Sequence, residues 1–123
     1  MQTELPILGL LQVPDQIRDD ILRTFGDQEE TATKFAVKWA WMNRRSKSLD
    51  QRTAAERMGI PSPHLSNILN GKKHLPPHKI NSFEWVVGNR AVSMTIDRFR
   101  NIREQEQALV IARAIVGAQR AAN

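Results

Sequence analysis

Apolar residues recur at helical spacing along most of this chain. Ile17, Ile21 and Phe25 stand four apart between Pro14 and Gly26, which predicts a short acidic amphipathic helix opened by Pro14. Phe35, Trp39 and Met42 form a second stripe with Ala36 and Ala40 beside it, predicting a helix over 31–45 with those residues turned inward. The basic run NRRSK closes it, where cations suit the helix dipole. Ser48 starts a third helix, because SLDQ has capping-box spacing: the Ser48 hydroxyl can accept from the Gln51 amide while Gln51 reaches back. That helix stops at Met58, where Gly59 supplies a left-handed residue.

Ser62 as N-cap and Pro63 as first helical residue open a fourth helix, and Gly71 stops it. A fifth restarts after Pro76 and Pro77 with Ile80, Phe83 and Val87 inward, and Gly88 ends it. Asn89 can cap a further helix over 90–103, with Val92, Ile96, Phe99 and Ile102 or Arg103 on a shared side. No alternating β pattern occurs, so the expected fold is all-α. The segments expected are an acidic N-terminal extension (1–30), a central helix-turn-helix unit (31–87) and C-terminal helices (88–123).

The last stretch, ALVIARAIVGA at 108–118, is apolar around the whole helical circumference apart from Arg113, as buried helices are. Its 11 residues span about 16 Å, too short for a bilayer. Such a helix either threads the monomer core or packs against its twin. Dimerisation through Leu109, Ile111, Ala112, Ile115 and Val116 is the favoured expectation, because one small helix-turn-helix unit makes few base contacts and such proteins usually pair across two half-sites.

Charge sharpens this picture. The formal net charge of +5 is the sum of −5 over residues 1–30, +8 over 31–80 and +2 over 81–123, so the positive excess lies where the paired short helices lie. That is a polyanion footprint. Zero cysteines exclude disulfides and thiolate sites and suit a reducing cytosol. The apolar start LPILGLLQVP is short, has no basic residue before it and contains two prolines, which fits neither a signal peptide nor a membrane span. The expectation is a cytoplasmic protein.

In QRTAAERMGIPSPHLSNILN, small Ala55 permits a tight helix crossing, Gly59 permits the turn, and Met58, Ile60, Leu65 and Ile68 are apolar pins. Burying Leu65, Ile68 and Leu69 leaves His64, Ser66, Asn67 and Asn70 outward. These groups donate and accept hydrogen bonds, as reading base edges in a major groove requires.

Residues 31–87 resemble the helix-turn-helix domains of phage repressor and Cro proteins, the Xre-type group, most specifically at Gln51, Ala55, Gly59, Ile60, Leu65, Ser66, Ile68 and NGKK at 70–73. The resemblance implies a lambda-repressor-like bundle and a recognition helix at 62–70, with Gln51 touching a phosphate. A weaker similarity of 66–89 to small phage-element regulators implies a bacterial or phage-encoded, nucleoid-associated protein in a prophage or mobile-element setting. Pro61 and Pro63 stand where many relatives place base readers, and the outward face has no Arg or Gln. Asn67 is then the leading candidate for paired contact with an adenine, with Ser62, His64, Ser66 and Asn70 beside it. Arg44, Arg45, Lys47, Arg52, Lys72 and Lys73 flank the face as phosphate contacts.

Other chemistry has little support. Pro76 and Pro77 break any helical relation between His74 and His78, and no Cys or carboxylate cluster joins them, so no metal or other cofactor is expected. Trp39 has core spacing, and Trp41 and Trp85 fit packing between helices better than a stacking platform for single strands. No nucleophile has an assembled base, so no catalytic residue is expected. The sequence reads as a homodimeric, sequence-specific double-stranded DNA-binding regulator, a repressor on a pseudo-palindromic operator. The alternative is an antitoxin-like or adaptor module that binds a protein partner through its N- or C-terminal helices and uses the helix-turn-helix for autoregulation.

Overall fold

The computed structural model describes residues 12–122, and these are all-α. Helix α1 spans Asp19–Arg23, α2 Glu29–Met42, α3 Gln51–Met58, α4 Ser62–Leu69, α5 Pro77–Val87 and α6 Ala91–Ala122. One hydrophobic cluster runs from Ile17 to Phe99, with Leu65, Phe83, Val87 and Val92 fully enclosed, so the core crosses the segment limits expected at 30/31 and 87/88.

Helix α2 buries the Ala36 and Ala40 side of the expected pattern but not the Phe35 and Met42 side. Ala32, Ala36, Val37 and Ala40 are buried, while Phe35 and Met42 are 53% and 61% exposed. The cause is steric. Helix α6 runs antiparallel along α2, from the Asn89 side-chain amide on the Ala40 carbonyl (3.1 Å) to an ion pair between Arg103 and Glu29, and alanines let the two axes approach. Phe35 and Met42 are left lining a shallow apolar groove beside Phe25, whose ring meets Trp39 edge-on at 6.1 Å.

The N-terminal strap is held rather than helical at Pro14. The Asp15 amide donates to the Gly88 carbonyl (2.8 Å) and the Arg90 amide to the Asp15 carbonyl (2.9 Å), so the chain is extended there and α1 starts only at Asp19. Ile17, Leu22 and Phe25 then fold onto the core. The apolar start read above lies, through residue 11, outside the described residues.

Two caps also differ. Asp50, not Ser48, caps α3: its Oδ1 accepts from the Thr53 amide at 2.8 Å, because the helix begins at Gln51 and Asp50 is the residue just before it. At α4 the cap position falls on Pro61, with Ser62 as the first helical residue and no side-chain cap bond. The expected glycine stops hold: Gly59, Gly71 and Gly88 all have φ between 70° and 86°.

The largest difference is α6. One continuous helix of 32 residues replaces the separate C-terminal helices expected, because no glycine or proline interrupts 91–116. Its first turns bury Ala91, Val92, Thr95 and Phe99, and from Arg100 onward every described residue is exposed. The apolar stretch 108–118 therefore does not thread the monomer core.

Candidate nucleic-acid interface

Helices α3 and α4 are eight residues each and are joined by the three residues 59–61. The turn is fixed from both sides. The Ile60 amide donates to the Ala55 carbonyl (3.0 Å), and Lys79 Nζ reaches from α5 to the Met58 carbonyl (2.8 Å), neutralising the C-terminal dipole of α3. Ala54, Ala55 and Met58 on α3 and Leu65, Ile68 and Leu69 on α4 are buried. Each lost apolar side chain among the larger of these costs about 2–5 kcal/mol when truncated to Ala, which makes α4 a rigid platform.

The opposite side of α4 carries the polar groups expected there. Ser62, His64, Ser66 and Asn67 are half-buried and Asn70 is exposed. Ser66 and Asn70 lie one turn apart, with Asn70 Nδ2 at 3.5 Å from Ser66 Oγ. The amides of Lys72 and Lys73 both donate to the Asn67 carbonyl, at 2.9 and 3.3 Å. This closes the end of α4 and fixes the backbone of the two lysines next to the polar face while their side chains stay exposed.

Gln51 and Arg52 stand exposed on the first turn of α3. Arg52 and Ser62 line one cleft of about 350 Å³ with Ala55, Glu56 and Ile60, so the start of α3 and the start of α4 share a surface. Gln51, Arg52, Lys72 and Lys73 make no side-chain hydrogen bond or ion pair among the described residues.

The other three expected phosphate contacts make hydrogen bonds within the fold. The Arg44 guanidinium donates to the carbonyls of Leu49 (2.8 Å), Trp41 (3.0 Å) and Lys47 (3.2 Å) while lying 4.3 Å over the Trp41 ring, so it staples the α2–α3 loop. Arg45 Nη2 donates to the Val13 and Gly88 carbonyls at 2.8 and 3.1 Å and faces Asp15 Oδ1 at 3.3 Å, pinning the N-terminal strap. Lys47 Nζ donates to the Met42 carbonyl (2.7 Å) at the end of α2. Arg44 and Lys47 thus reach carbonyls at the end of the helix they follow, as cations there commonly do, while Arg45 reaches those of Val13 and Gly88.

Among the described residues no group of three His, Asp or Glu side chains is placed to hold a metal ion. His74 sits instead with Nε2 at 3.4 Å from Glu30 Oε1. Trp39 and Trp41 are half-buried and Trp85 is 46% exposed. No described helix is long and apolar enough to cross a membrane. Sequence reasoning missed Glu84, which is buried at the α5–α6 junction and binds Ser93; a lone Glu on an otherwise apolar helix face, nine residues before a serine in a helix first turn, is the only signal it left. Compared with protein-family models, curated proteins and solved structures, the chain matches none.

Proposed function

We propose that the protein is a sequence-specific double-stranded DNA-binding regulator, acting as a homodimer on a pseudo-palindromic operator in the bacterial nucleoid, and most simply a repressor that obstructs polymerase. The observation that carries this reading is α4: a short helix held by three buried side chains, bearing hydroxyl, imidazole and amide groups on its other side, and flanked by cations that have no side-chain partner among the described residues. Asn67 offers a donor and an acceptor for the paired edge of an adenine, and Ser66, His64, Ser62 and Asn70 supply single hydrogen bonds to neighbouring bases. Gln51, Arg52, Lys72 and Lys73 take phosphates and set the register. Arg44, Arg45 and Lys47 belong to the scaffold that holds this surface.

The reading as a module that neutralises a protein partner asks for an N- or C-terminal helix free to bind it; the exposed end of α6 leaves the C-terminal route open, whereas the acidic N-terminal helix α1 is engaged. With Ile17, Leu22 and Phe25 buried, the apolar side of that helix is already occupied. The deciding experiment is selection from a random duplex pool by the full chain at near-physiological salt. Enrichment of an inverted repeat supports the reading, and recovery of no motif overturns it.

A further inference from the structure

Beyond Phe99 no residue of helix α6 is buried: Arg103 still pairs with Glu29 and Ile102 and Gln105 still border α1, and the helix runs on to Ala122 with every residue exposed. At 1.5 Å per residue this arm is about 33 Å long. Leu109, Ile115 and Val116 are 56%, 54% and 45% exposed on it. A lone helix draws little stability from propensity alone, so an apolar arm of this kind calls for a covering surface.

Along the arm Ile102, Gln105, Leu109, Ala112, Val116 and Gln119 alternate at spacings of three and four, the seam of a two-stranded coil. That seam is an exposed track along one side of α6. Ile102 and Gln105 line a cleft of about 730 Å³ between α1 and α6, and Leu109, Ala112 and Val116 continue the same side of the helix farther out, where no other element borders it among the described residues.

We propose that a second copy of this chain occupies the track, its own α6 running antiparallel to the first; this rests on the homodimer reading and fixes its geometry. Charge decides the direction. In a parallel coil the flank holding Glu106, Arg113 and Arg120 faces the partner's other flank, which holds Asn101, Ala108 and Ile115, and no ion pair forms. In an antiparallel coil like flanks face each other. With Leu109 packed on the partner's Ala112, Glu106 meets the partner's Arg113, and symmetry repeats the pair. On the other flank Ala108 meets the partner's Ile115, apolar on apolar.

Length agrees with that register. The partner's Ala122 comes level with Phe99, so the whole arm is used, and the partner's Arg120 arrives at the cleft beside Asp27 and Asp97. The two copies' Arg100 positions, just past the last buried residue of α6, are then about 32 Å apart along the coil.

The chain has no cysteine, so two single-cysteine variants test the pairing, Ile102→Cys and Gln119→Cys, both on the exposed arm. A disulfide needs Cα atoms within about 7 Å. In the antiparallel coil position 102 lies opposite the partner's 119 and about 26 Å from the partner's 102. After mixing and mild oxidation the expected product is the mixed disulfide alone. Self-linked dimers of each variant in place of it mean a parallel coil, which overturns this arrangement and leaves the homodimer standing. A chain that sediments as a monomer at micromolar concentration overturns both. As a second check, Glu106→Arg weakens dimerisation about tenfold and adding Arg113→Glu restores it; no change in either variant overturns the ion pairing and the direction drawn from it.

Discussion

The Glu84 carboxylate accepts from both the Ser93 amide (2.8 Å) and the Ser93 hydroxyl (2.9 Å), so a side chain of α5 caps the first turn of α6. The negative group stands at the positive end of the longest helix and satisfies an amide that the helix cannot. Glu84→Ala removes both bonds at a buried junction and is expected to cost about 2 kcal/mol. A urea titration followed by circular dichroism measures it; an unchanged midpoint would show that water replaces the carboxylate without loss.

The same residue gives a pH signature. Burial pushes the Glu84 carboxyl above its ordinary value of 4.5, and the bonds from Ser93 oppose this only in part. The native state therefore holds the proton more tightly than the unfolded chain. Its contribution to stability is full below pH 4.5 and declines as pH rises through the raised native value. The stability of the wild type relative to Glu84→Gln should accordingly be greater at pH 4.5 than at pH 7. A difference that grows toward pH 7 would mean that the bonds to Ser93 outweigh burial.

Much of the fold was legible because its stops are chemical. Gly59, Gly71 and Gly88 each adopt the left-handed backbone that their positions between helical patterns implied, and Leu65, Ile68, Phe83 and Val87 are inside as their spacing implied. The inward face of α2 was misread because size was taken for burial: Phe35 and Met42 are bulky, yet close helix crossing selects the alanines. The cap of α3 was misread by two residues because Ser48 and Asp50 both precede a plausible first turn, and only the three-dimensional path decides which oxygen meets an amide. In the candidate interface, the α4 residues share one helix side as expected. Arg44, Arg45 and Lys47 could not be placed from sequence, since a cation after a helix has the same spelling whether it meets a phosphate or a carbonyl.

Asn67 and the Lys72–Lys73 pair should divide the work on DNA. Asn67→Ala removes a base-edge contact worth about 1–3 kcal/mol, so it lowers discrimination between operator and scrambled duplex more than it lowers binding to the scrambled duplex. Lys72→Ala with Lys73→Ala weakens binding to all duplexes alike and reduces the slope of log affinity against log salt by about 2. Fluorescence anisotropy over a salt series separates the two effects. Equal losses on every duplex from both variants would remove the division of roles.

Deleting residues 108–123 leaves the whole buried core intact, since its last member is Phe99. The truncated chain is expected to be a folded monomer with nearly the wild-type melting temperature at low protein concentration. It should also bind operator DNA with lost cooperativity between half-sites. Light scattering with a thermal melt checks the first point; an unchanged dimer mass would place the interface on the body of the protein.

Gly88 and Gly59 both have left-handed backbones, with φ of +86° and +70°, yet alanine should cost very different amounts at the two. At Gly59 the added methyl meets only Lys79 Nζ at 3.6 Å, an ordinary contact with the end of a flexible chain, so the cost is the backbone strain of about 1 kcal/mol. At Gly88 it would lie 2.8 Å from Arg45 Cβ and 3.1 Å from the guanidinium carbon. Arg45 cannot simply swing away, because its guanidinium holds Val13 and Gly88 carbonyls and its own amide donates to the Val87 carbonyl at 2.7 Å. Gly88→Ala is therefore expected to cost about 3 kcal/mol and to release the N-terminal strap as well. Denaturation midpoints compare the two variants, and hydrogen exchange at the Asp15 and Arg90 amides reports the strap. Equal midpoints for both, with those amides still protected, would mean that Arg45 rearranges freely and does not pin the strap.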